Sequence, residues 1–229
     1  MGRELLDHDE GVLTLTASPE SSRFDELIDA IVADDAGAVR LIRATPDVAL
    51  LSAARERFHE DVHHQVYRGD TVLHLAAAAL RPFVVTALVE AGADPNARNR
   101  RGATALHYAC DARPAADTAP NAAAQTAVIR LLVDAGSIIE QKDRSGTAPL
   151  HRAVRARSVP AVRALLERGA CVDATHGRQR TTSLHIVTHS TGASGTKGTR
   201  AEQQAIVALL LEYGADPRAR DSNGNLPRL

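Results

Sequence analysis

The 229-residue sequence has no tryptophan and only three phenylalanines and three tyrosines. Binding modes that stack bases or sugars need aromatic faces, so this scarcity argues against a nucleic-acid or carbohydrate platform. Lysine is nearly as scarce: Lys142 and Lys197 stand beside 25 arginines. The positive charge is therefore almost entirely in forked guanidiniums, and the scarcity of lysine beside scarce aromatics weighs against nucleic-acid binding through the basic body. The two cysteines, Cys110 and Cys171, cannot make a disulfide framework or a four-cysteine zinc site, and they suit a reducing compartment. The opening residues lack a basic start followed by an apolar run, and no run is long enough to cross a bilayer. Neither a signal peptide nor a membrane contact is expected, and the expected location is cytoplasmic.

Charge is present but unevenly spread. Residues 1–35 carry ten acidic side chains against Arg3 and Arg23, whereas the remainder has more basic than acidic groups. The near-neutral total hides an acidic front and a basic body.

One phrase recurs four times: GDTVLHLAA (69–77), GATALHYAC (102–110), GTAPLHRAV (146–154) and RTTSLHIVT (180–188). Its histidines, His74, His107, His151 and His185, are 33, 44 and 34 residues apart. A second phrase follows each: VTALVEAGADP, IRLLVDAGSII, VRALLERGACV and VALLLEYGADP. Apolar residues lie seven, four and three positions before its glycine, for example Val85, Leu88 and Val89 before Gly92. That spacing predicts one apolar helical face per repeat, with the glycine ending the helix and Pro82 and Pro160 near helix starts. A single helix pair cannot bury such a stripe, so neighbours must stack.

The period and the two phrases resemble ankyrin repeats, closely over 69–226 and loosely over 24–47. The resemblance implies an all-α solenoid of stacked helix-turn-helix units with short β-hairpin-like connections. The division expected is an acidic segment (1–23) and a repeat domain (24–229). The latter comprises a degenerate capping unit and linker (24–68), repeats 69–101, 102–145, 146–179 and 180–223, and a partial repeat (224–229). The resemblance also implies that each Thr-x-Leu-His opens a first helix and hydrogen-bonds within and between repeats, so its histidines are structural. Ala148 and Leu226 stand where threonine would be, and the hydroxyl bond is not expected there.

Two inserts of eleven residues, in 111–122 and 189–200, separate the phrases of repeats two and four. Their Pro, Gly, Ser, Thr and Ala content predicts surface loops. The stretch GASGTKGT has the wrong order for a phosphate loop, and Thr199 reads as a helix cap.

The family likeness implies a non-catalytic protein-interaction scaffold that uses hairpin tips and the concave first-helix surface. Repeat stacking would align Arg98, Arg100, Arg101, Lys142, Arg144, Arg178, Arg180, Arg218 and Arg220 along one edge, with Arg155 and His189 on the adjoining helical surface. Such an edge is expected to receive an acidic protein. Self-association through repeat four is also expected if Ile206, Leu209 and Leu210 lack a neighbour. No cofactor, catalytic residue or metal ligand is assigned. The competing reading is a metal-dependent hydrolase using His59, Glu60 and His63, whose H-E-x-x-H spacing would need a helix to place both histidines on one face. Leu51, Ala54, Phe58 and Val62 allow a short helix there, although the third ligand and the cleft are missing from the pattern.

Overall fold

A computed structural model of the protein describes residues 20–33, 35–59, 64–112, 122–188 and 200–229. Among them the chain forms α1 (Glu20–Ala33) and α2 (Asp35–Ala44), a 3₁₀ turn (Pro46–Leu50), then β1 (Arg57–His59) and β2 (His64–Val66). Four helix pairs follow: α3 (Val72–Ala78) with α4 (Pro82–Glu90), α5 (Ala105–Asp111) with α6 (Ala122–Asp134), α7 (Pro149–Arg155) with α8 (Val159–Glu167), and α9 (Ser183–Thr188) with α10 (Arg200–Glu212). First helices stack on first helices, from α1 through α3, α5 and α7 to α9, and second helices likewise from α2 to α10. The resulting all-α stack has one continuous core.

The core follows from the spacing of the second phrase. Val85, Leu88, Ile129, Leu132, Val162, Leu165 and Leu210 are fully buried. Helices α4, α6, α8 and α10 each then stop at a glycine with φ between 84° and 94°. At the first of them the Gly92 N–H donates to the Val89 carbonyl at 3.0 Å and the Ala93 N–H to the Leu88 carbonyl at 2.9 Å. This paired closure needs a left-handed residue, which glycine adopts without steric cost.

The loosely matching unit is a full helix pair. Phe24, Leu27, Ile28 and Ile31 of α1 and Leu41 and Ile42 of α2 are buried in the shared core, and Arg81 Nη2 donates to the Val32 carbonyl at 2.8 Å. Helix α1 begins at Glu20, inside the acidic segment.

Two expectations need correction. Ile206, Leu209 and Leu210 are at most 2% exposed, because α10 packs on both α8 and α9. They offer no uncovered face for self-association. The helix expected around Leu51–Val62 is also replaced. Residues 57–59 pair antiparallel with 64–66, Phe58 opposite Gln65 and His59 opposite His64. Phe58 is 54% exposed while His59 and Val66 are buried, a two-residue alternation that belongs to a half-buried strand.

The Thr-x-Leu-His histidines hold the stack together. His74 Nδ1 accepts from the Thr71 N–H at 3.1 Å, and its Nε2 donates to the Ala103 carbonyl of the next repeat at 3.1 Å. His107, His151 and His185 repeat this bridge to Thr147, Ala174 and Asn225 at 3.0, 2.9 and 3.1 Å. The threonine hydroxyl adds a contact at 2.9–3.0 Å in three of them. At Ala148 only the backbone bond remains, at 3.0 Å. Ala148→Thr should therefore restore the missing contact and raise the unfolding free energy by about 1 kcal/mol, the net value of a well-placed hydrogen bond. Urea denaturation of the variant checks this, and a lowered midpoint would show that the buried site has no room for the larger side chain.

Candidate functional site

Four hairpin tips lie side by side because their backbones bond to one another. The Arg100 N–H donates to the Arg68 carbonyl at 2.9 Å, Arg144 to Arg101 at 2.9 Å, Gly177 to Gly146 at 3.4 Å and Ser222 to Gln179 at 2.8 Å. This ladder fixes the register of the basic edge. The side chains along it then divide by what they touch.

Several of the predicted binding residues serve the fold. Arg98 donates to the Gly102 and Lys142 carbonyls at 3.2 and 3.1 Å. Lys142 donates to the Thr175 carbonyl at 2.7 Å, and Arg220 to that of Gly224 at 2.7 Å. Arg100 is ion-paired with Glu56. Arg101 lies over the Tyr67 ring at 4.9 Å, and Arg155 Nη2 meets His176 Nε2 at 3.2 Å. By contrast Arg144, Arg178, Arg180 and Arg218 are exposed, and their guanidiniums have no partner among the described residues. They sit on successive tips and form the free part of the edge. His189 lies outside the described residues, as does most of each insert, Thr199 included.

Below the tips, two cavities of about 480 and 190 Å³ run between the tips and the first helices and share Arg101, Asp111 and Arg152 in their walls. Arg152 is the organising residue. Its side chain is 15% exposed and bridges Asp111 Oδ2 and Asp143 Oδ2, each at 3.0 Å. One bond ties α7 to the end of α5, the other to the second tip, which carries Asp143. Burial raises the pKa of both carboxyls, but the outcome differs. At Asp143, hydrogen bonds from Arg152 and from the Thr147 and Ser145 N–H groups outweigh burial and hold the carboxyl below its usual range. At Asp111 burial wins over the pull of Arg152, and the pKa is raised. A second polar cluster closes the smaller cavity: Asn99 Nδ2 and the Tyr108 hydroxyl both donate to the fully buried Asp70, each at 2.8 Å.

Residues 37–118 and 121–221 match the family model described as ankyrin repeats, in three copies. The chain belongs to the ankyrin-repeat family. The B-cell lymphoma 3 protein homolog of Mus musculus is 33% identical over 166 residues, covering 72% of this chain and 32% of that protein. The human neurogenic locus notch homolog protein 4 is 52% identical over 52 residues, or 22% of this chain and 3% of the relative. The NF-kappa-B inhibitor alpha of Sus scrofa is 51% identical over 41 residues, covering 18% and 13%. This chain thus spans about a third of the first relative's length and less of the others.

Within the ankyrin-repeat frame, Arg152 and its two aspartates were missed by sequence reasoning, yet a signal existed. The residue after the repeated histidine is Leu75, Tyr108, Arg152 and Ile186 in turn. A lone arginine at a position otherwise apolar and aromatic implies buried counter-charges.

Of the metal-hydrolase constellation only His59 falls on the described residues. His59 is on a strand, 7% exposed, with Nε2 3.4 Å from Asp29 Oδ1 on α1. Glu60 and His63 lie outside the described residues. The motif needs its first histidine on a helix, whereas His59 is in an antiparallel ladder. No helix among the described residues is long and apolar enough to cross a membrane.

Proposed function

We propose that this chain is a non-catalytic protein-interaction module whose hairpin-tip edge and adjoining first-helix groove receive an acidic protein surface. The observation that carries this reading is the row of exposed arginines, Arg144, Arg178, Arg180 and Arg218, without partners among the described residues and on tips held in register by backbone bonds. Family membership supports the interaction role, and a fold by itself names no partner. One exposed arginine contributes only about 0.2–1 kcal/mol. Several of one sign on a rigid edge act together, steering an oppositely charged partner and offering forked contacts to its carboxylates.

The test compares proteins retained from lysate by the wild-type chain and by the variant Arg144→Glu/Arg178→Glu/Arg218→Glu. The expected result is a defined set of acidic proteins held by the wild type and lost by the variant, with thermal stability of the two chains equal. Equal retention by both would place recognition away from this edge.

A further inference from the structure

Arg152 ion-pairs with both carboxylates in the wall of the larger cavity, and the other two guanidiniums there make no direct ion pair among the described residues. Arg101 is held by a tyrosine face and Arg155 by an imidazole. The imidazole is neutral in this arrangement: burial lowers the His176 pKa, and the charge of Arg155 lowers it further. His176 is itself fixed, with Nε2 also 3.1 Å from Thr147 Oγ1. Two cations in the wall of one cavity are therefore oriented by uncharged partners. Neither must break an ion pair to bind an anion, so the usual cost of exchanging one carboxylate for another does not arise.

We infer that this cavity is the receptor for a single aspartate or glutamate side chain of the partner protein, bound by Arg101 and Arg155, with Arg152 occupied by its own two aspartates. The inference rests on the acidic-partner reading above and names where one of the partner's carboxylates seats. A volume of about 480 Å³ holds an acidic side chain together with part of the backbone that presents it. The Ser145 hydroxyl, also in the wall, supplies a neutral donor. The free tip arginines would then govern long-range attraction, while this site governs register, because two forked donors in fixed positions discriminate geometry as well as charge.

The experiment uses the full chain, isotope-labelled, with the arginine Nε–Hε resonances observed during titration. The probe is the end-blocked peptide Gly-Ser-Glu-Ser-Gly, beside versions with glutamine or phosphoserine at the centre. Saturable shifts of the Arg101 and Arg155 resonances with the glutamate peptide, absent with glutamine, are expected. Either Arg101→Gln or Arg155→Gln should weaken that response about tenfold, the usual cost of losing one forked contact. In the triple tip reversal the Arg101 and Arg155 resonances should still shift saturably with the glutamate peptide and not with the glutamine one, at a weaker apparent affinity because the edge has lost positive charge, so failure of the tip edge and failure of this site are distinguishable. Equal shifts with the glutamine peptide would overturn the assignment. So would wild-type binding by Arg155→Gln, or a response to phosphoserine alone.

Discussion

Acidification from about pH 7.5 to about pH 5 should cost this protein about 2 kcal/mol of unfolding free energy from each of His107 and His151, rising toward about 3 kcal/mol each near pH 4. Both side chains are fully buried. Burial pulls each pKa down to about 4, more than the carbonyls of Thr147 and Ala174 can offset by accepting from Nε2. In the unfolded chain the same imidazoles take up protons near pH 6.5. Between those values the unfolded state binds more protons than the folded state, so stability rises with pH in this window. It is fully present above about 6.5 and is lost as pH falls toward 4. His74 adds in the same direction, since burial lowers its pKa too. Urea denaturation at several pH values checks the slope. His151→Gln should have a lower midpoint at neutral pH and a flatter pH dependence. A wild-type midpoint that does not move between about pH 7.5 and 5 would contradict the neutral, Nε2-donating histidine bridge.

The second large effect is expected at Arg152. Truncation to alanine leaves Asp143, whose side chain is 8% exposed, and the partly buried Asp111 facing one another without their shared cation. Removing one member of a buried ionic cluster costs about 3 kcal/mol. Neutralising what is left behind should recover much of that loss, so Arg152→Ala/Asp111→Asn/Asp143→Asn should be more stable than Arg152→Ala alone. This ordering separates uncompensated charge from lost packing volume. A single variant within about 0.5 kcal/mol of wild type, the range of ordinary surface changes, would mean that the bridge does not order the groove.

The repeats were legible because each helix pair has its own local phrase. The spacing of Val162, Leu165 and Leu166 before Gly169 specifies a face and a stop without reference to anything distant. The stretch around His59 misled for a related reason. Leu51, Ala54 and Phe58 have helical spacing, but strand pairing between Arg57–His59 and His64–Val66 overrode it, and the exposure of Phe58 shows that no helical core face was at stake. The edge was legible as composition and only partly as function. Whether an arginine is free depends on which carbonyl, ring or carboxylate the neighbouring tip brings beside it. Arg98 reaches the Lys142 carbonyl and Arg144 reaches nothing comparable among the described residues, although the two look alike in the linear sequence. Asp111 and Asp143 are 32 residues apart, and only the stacking of α5, α7 and the second tip reveals that Arg152 joins them.

The most direct test of the basic edge is the association rate of an acidic partner retained by the wild-type chain, followed by stopped flow as ionic strength rises from low to moderate. Electrostatic steering makes association fall steeply with salt. The wild type should show that fall, and Arg144→Glu/Arg178→Glu/Arg218→Glu should associate about tenfold or more slowly at low salt with a flattened or inverted dependence. Both chains should have the same thermal midpoint. Identical rates and salt slopes for the two chains would contradict recognition through the tip edge.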